Sequence, residues 1–177
     1  MSTQRTVRIA TDYRHFRSPI DFSRSVDRLL LGTPPKYLAG LDSVILRDSG
    51  GFTRREKRLS EKDSTKALVG AYHRATRTTP PRIHLFIDNI VQGPSLLLRL
   101  PLIRELLLAG PLFHELGHHI QEHIAPEHRD REATAEAWAR RLTSEYFSSR
   151  RTKLSLRVLR SVLKLVQKGK RRRRRKE

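Results

Sequence analysis

The chain has 177 residues, of which 37% are hydrophobic and 31% charged, and it contains no cysteine. That length suits one domain with a real core, and the composition is globular rather than disordered. Disulfides, thiolate ligands and thiol nucleophiles are excluded, so any metal must be held by histidine and carboxylate.

The formal charge is +19, but residues 150–177 hold fourteen Lys or Arg against the single acid Glu177. The extreme basicity therefore belongs to the C-terminal segment and not to the body. The opening "MSTQRTVRIATDY" has no apolar run. The leucine-rich stretch before residue 112 is broken by Pro94, Arg99, Pro101, Arg104, Glu105 and Pro111. Neither has the character of a signal peptide or a membrane span, so a soluble, cytoplasmic protein is expected.

In chain order, residues 6–10 alternate and predict a short strand. Residues 18–32 predict a helix with Ser18 as cap, Pro19 in the first turn and Asp21 at capping-box spacing. Phe22, Val26, Leu29 and Leu30 would line its buried face, and Gly32 would end it. Residues 43–47 predict a second strand. The segment "GGFTRREKRLSEKDSTK" is expected to be a charged loop. Residues 67–75 and 82–90 predict two further strands, the latter at the sheet edge. From about residue 95 the pattern is helical, with Pro111 expected to mark a kink or a fresh start. An alanine-rich helix is predicted over 131–147, with Trp138 and Leu142 in the core.

The stretch "LFHELGHHIQEH" carries the chemistry. His114 and His118 are four apart, which on a helix stacks both imidazoles on one face. Glu115 flanks that face, where it can approach a metal-bound water without binding the metal. This is the H-E-x-x-H arrangement of zinc peptidases. Apolar Leu112, Phe113, Leu116 and Ile120 give the same helix a buried side.

A third protein ligand is needed. Glu122 lies eight residues beyond His114, about 12 Å along the axis, and is too far to share an ion. The next helix offers Glu132, with Glu136 one turn later. His123, Glu127, His128 and Asp130 are weaker candidates. Gln121 and Ile124 stand where a three-histidine metzincin pattern would need Gly and His. His119 lies off the metal face, and His15, His73 and His84 have no evident partner spacing.

With "EATAE" at 132–136 beside this motif, residues 105–145 resemble the gluzincin side of the zincin superfamily. The short connection between the two helices is similar to the minimal ImmA/IrrE and SprT-like groups. The resemblance implies an α+β minimal zincin with a small mixed β-sheet, an active-site helix over 111–124 and a following helix bearing a Glu ligand. It implies zinc (Zn2+) held by His114, His118 and Glu132, with Glu136 as the acid supporting a ligand histidine, although the family usually has Asp there. It implies hydrolysis of a peptide or protein substrate by a metallopeptidase, with Glu115 activating the metal-bound water.

The expected domain spans 1–149. Residues 150–168 predict a basic amphipathic helix, with Lys153, Arg157, Arg160, Lys164 and Lys168 on one face, and 169–177 a disordered polybasic tail. That end suits nucleic acid or an anionic membrane as partner through charge alone, since no aromatic residue interleaves the arginines. The alternative function is a non-proteolytic zinc-binding regulatory module docked through this basic C-terminus.

Overall fold

Alternation of apolar side chains builds the core of the sheet. Val44 and Leu46 on one strand and Ile83 and Leu85 on its neighbour are fully buried. In the computed structural model, which describes residues 7–18, 20–62, 67–91, 96–123 and 131–149, four strands form one mixed sheet. They are β1 (Arg8–Asp12), β2 (Ser43–Arg47), β3 (Gly70–His73) and β4 (Arg82–Phe86), in the order β1-β2-β4-β3. The first three neighbours in that order run parallel, and β3 joins β4 antiparallel at the edge.

Three strand expectations shift, and the one over 67–75 narrows to Gly70–His73. The first strand runs over Arg8–Asp12 rather than 6–10, with Arg8 paired to Ser43. The strand expected over 82–90 stops at Phe86 and lies inside the sheet, not at its edge. Residues Ile83 to Phe86 are all buried, as a strand covered on both faces requires.

Six helices accompany the sheet among the described residues: α1 (Ser23–Leu31), α2 (Pro35–Leu38), α3 (Arg54–Lys62), α4 (Ile87–Ile90), α5 (Pro101–His123) and α6 (Arg131–Ser149). The fold class is α+β. The chain divides into two compact units, 1–143 and 144–177. The helix expected over 150–168, the tail at 169–177 and the connecting residues Glu127, His128 and Asp130 lie outside the described residues. No described helix is long and apolar enough to cross a membrane.

Helix α1 starts at Ser23, later than Ser18. Ser18 bonds within its own turn, to Ile20, and Asp21 Oδ1 accepts the Ser23 amide at 2.8 Å. Its buried face is Val26, Leu29 and Leu30, with Phe22 just before it. Helix α5 is a single 23-residue element that passes through Pro111, so the helix expected over 111–124 begins at Pro101. Proline there removes one backbone bond, but Leu108, Ala109, Leu112 and Phe113 around it are all buried. Packing of that stripe keeps the helix continuous.

The segment expected as a charged loop contains α3. Its start is a capping box: the Thr53 amide donates to Glu56 Oε2 at 2.6 Å, and the Glu56 amide donates to Thr53 Oγ1 at 3.3 Å. Glu56 is fully buried against the sheet face opposite α5. Its Oε1 accepts from His73 Nε2 at 3.0 Å and His84 Nδ1 at 2.5 Å, and Arg47 Nη1 lies 3.6 Å from Oε2. Burial disfavours the Glu56 carboxylate, but the bonds from His73, His84 and Thr53 outweigh it and hold the pKa far below the usual range. Burial also lowers the pKa of His84, with the Glu56 bond opposing.

Glu56→Ala should therefore cost about 3 kcal/mol in urea unfolding, because it takes the buried acceptor from two imidazoles, while Arg47 keeps Asp12 and the Gly51 carbonyl. Both folded pKa values lie below their unfolded ones, so the unfolded chain binds more protons in acid. The His84 contribution is present above the ordinary histidine pKa, the Glu56 contribution above the ordinary carboxylate pKa, and each is lost as pH falls below it. The unfolding midpoint of the wild-type chain should fall with acidification, and Glu56→Ala should flatten the lower part of that curve.

Candidate metal centre

The H-E-x-x-H residues lie in the second half of α5, and their spacing does what helical geometry requires. The His114 and His118 rings stand 4.9 Å apart, nearly perpendicular, and both are partly open to solvent. Helix α6 brings a carboxylate to them. Glu132 Oε2 lies 3.4 Å from His114 Nε2, and Glu132 Oε1 lies 3.6 Å from His118 Nε2. One donor atom from each of the three residues falls within 4.8 Å of the other two.

Those separations test the fit to an ion. Donors at corners of a tetrahedron with bonds of 2.0–2.2 Å stand about 3.4 Å apart, longer than an ordinary hydrogen bond; each imidazole stands near that distance from one of the two Glu132 oxygens. Two imidazoles and one carboxylate are also a donor set suited to zinc. Glu136 Oε2 stands 3.7 Å from His114 Nδ1, on the side of the ring away from Glu132. Glu132 itself is 78% exposed, so its carboxylate sits at the mouth of the site rather than inside the core.

Close packing sets this arrangement. Gly117 lies between the two histidines in sequence, and a Cβ there would sit 2.8 Å from the Cα and carbonyl oxygen of Ala135. Only glycine lets the backbones of α5 and α6 approach so closely. Ala135, Ala139 and Leu142 continue the buried face of α6. Trp138 is half-buried and packs edge-on against Tyr37 at 5.0 Å, with the Arg141 guanidinium 5.1 Å from its ring.

Glu115 points to the other side of the metal face, toward edge strand β3. It is nearly buried, and a Cβ on Gly70 would come within 2.8 Å of its Cγ. The Tyr72 amide donates to its carboxylate. Burial pushes the Glu115 pKa up to about 8, the Glu132 charge adds to the rise, and the Tyr72 bond opposes it. Burial likewise lowers the pKa of His118, with Glu132 opposing.

The remaining histidines have other partners. His119 is buried, donates from Nε2 to the Ala39 carbonyl at 3.0 Å, and accepts the Tyr72 hydroxyl at Nδ1 at 3.2 Å. Burial brings its pKa down to about 4. Glu122 is 3.0 Å from Arg74 and away from the ion position, and His123 bonds the His119 carbonyl.

Glu56, His73 and His84 also bring donor atoms within 4.8 Å of one another. There Arg47 Nη1 already stands 3.4 Å from His84 Nδ1, and both Glu56 oxygens accept hydrogen bonds. That cluster holds its own cation and works as an anchor for α3.

A cleft of about 370 Å³ opens over the site. Its walls are Gly70, Ala71 and Tyr72 of β3, Arg55 and Leu59 of α3, the motif side of α5, and Arg131 and Glu132 of α6. Sequence reasoning missed Gly70, Tyr72 and Arg55. A glycine inside a predicted strand signals close backbone approach, and T-x-x-E signals a helix start. Both signals were present.

Compared with protein-family models, curated proteins and solved structures, the chain matches none. The site must be judged on its own chemistry.

Gly117→Ala should weaken zinc binding at least about tenfold, by forcing α6 away from α5 and carrying Glu132 with it. Competition with a chromophoric chelator measures this, and unchanged affinity would remove the packing argument.

Proposed function

We propose that this cleft hydrolyses peptide bonds with a zinc ion held by His114, His118 and Glu132, the fold being a minimal gluzincin-type zincin. One observation carries the reading: three donors from two helices lie within 4.8 Å of one another, with Glu115 buried beside them against an edge strand. Zinc in such a site polarises a carbonyl and lowers the pKa of water to about 7.

The chain's own groups supply the rest. Gly70 leaves room for the Glu115 side chain, and the Tyr72 amide fixes its direction. With the positive charge of a bound zinc offsetting its burial, the carboxylate would take a proton from the attacking water. As the C–N bond breaks, it returns that proton to the leaving amine, so acid and amine products balance. Glu136 lies beside the outer nitrogen of His114, where it steadies the ring. Apart from the Tyr72 amide, the outer edge of β3 along the cleft offers backbone groups to an extended chain.

Glu115→Gln should retain about one zinc per chain while hydrolysis falls by about 10²–10⁴-fold. Metal analysis and a peptide-library assay, with and without chelator, read the two effects separately. Unchanged turnover in that variant would refute the mechanism. Glu132→Ala should lose zinc outright, and Glu136→Ala should weaken it by about 10–100-fold. Gly70→Ala should leave zinc in place and lower turnover by about 10²-fold, because it displaces Glu115.

A further inference from the structure

Two charged groups in the cleft have no task in this reaction, Arg55 and Arg131, and the exposed Arg131 opens α6 directly before Glu132 at the mouth. Arg74 pairs with Glu122 at 3.0 Å, Glu132 faces the two imidazoles, and Glu115 takes the Tyr72 amide. Arg55 lines the same cleft from the first turn of α3, and among the described residues it makes no hydrogen bond or ion pair.

Its place on the wall is fixed by its neighbour. Glu56 is fully buried and tied to His73, His84 and Thr53, so the first turn of α3 cannot drift from the sheet. Beside Arg55 the wall is apolar, with Leu59 one turn on and Leu68 leading into β3. Arg54, Lys57 and Arg58 are exposed on the same helix and extend the positive field outward. A guanidinium in a cleft offers a planar fork of donors matched to a carboxylate.

We propose that Arg55 selects peptides with a glutamate side chain next to the scissile bond, its carboxylate on the guanidinium and its stem against Leu59 and Leu68. The proposal rests on the peptidase reading and names its substrate class. Glutamate fits better than aspartate because the apolar wall needs a methylene stem to cover it.

The test uses the full chain carrying Glu115→Gln, loaded with zinc, and fluorescent peptide pools that differ only in Glu, Gln or Lys beside the central bond. The Glu pool should bind about five- to tenfold more tightly than the Gln pool, with a preference that shrinks as salt rises. Arg55→Ala should abolish the difference without changing zinc content, and Arg55→Glu should turn it toward the Lys pool. In the chain with Glu115 intact, the same preference should appear in kcat/KM, chiefly through KM.

Equal binding of the Glu and Gln pools, or binding of neither, overturns the selection. Binding of a short oligothymidylate that Arg55→Ala weakens, with no Glu preference, overturns it in favour of a nucleic-acid strand. Hydrolysis without a Glu preference sinks the selection alone. A Glu preference without any hydrolysis sinks the peptidase reading and leaves the selection standing.

Discussion

Gly117 must be glycine because the backbone of Ala135 occupies the place of its Cβ. Helices that meet through larger residues keep their axes 8–10 Å apart, as a rule, and a carboxylate on one then reaches the other less directly. Here the contact falls within the turn that carries both imidazoles, and Glu132 lies three residues before Ala135. Two donors belong to α5 and the third to α6, so the candidate centre is only as well defined as that packing. The apolar face of α6 at Ala135, Ala139 and Leu142 extends the same contact toward the core.

The sheet separates two kinds of chemistry. Val44, Leu46, Ile83 and Leu85 share one face, Leu85 being paired with Gly70, the residue that meets Glu115 of α5. Arg47, His73 and His84 lie on or beside the opposite face and meet Glu56. Burying such a network gains little stability, since desolvation offsets most of the attraction. What it supplies is position: with its partners fixed, Glu56 allows α3 one placement. The outer residues of α3 then become a wall of the cleft.

Much of this was legible in the amino-acid pattern. Strand β2 was readable because its apolar residues cluster between turn signals, and the buried face of α1 because Val26, Leu29 and Leu30 recur at helical spacing. The coming together of His114 and His118 follows from their four-residue separation alone. Other features depend on tertiary context. Helix α3 is so polar that its composition argues for a loop, and only its capping box and one buried acid make it helical. Pro111 argues for a break that the buried residues on either side override. That β4 is central and β3 the edge depends on which strand takes the last place, and a single strand's sequence does not encode that. Glu56, His73 and His84 lie on three separate elements, so no local spacing could join them.

The antiparallel strand at the sheet margin has a bearing on colloidal behaviour. A bare margin of unpaired amides invites a second copy to add on and begin a growing stack. β3 has only four residues, its Tyr72 amide is already taken by Glu115, and Arg55 and Arg74 stand beside it. Two such margins brought face to face would oppose like charges and find few free amides. The opposite margin, β1, is also short and carries charged Arg8 and Asp12 at its ends. Features that shape a cleft on one side thus also leave β3 a poor template for a second copy.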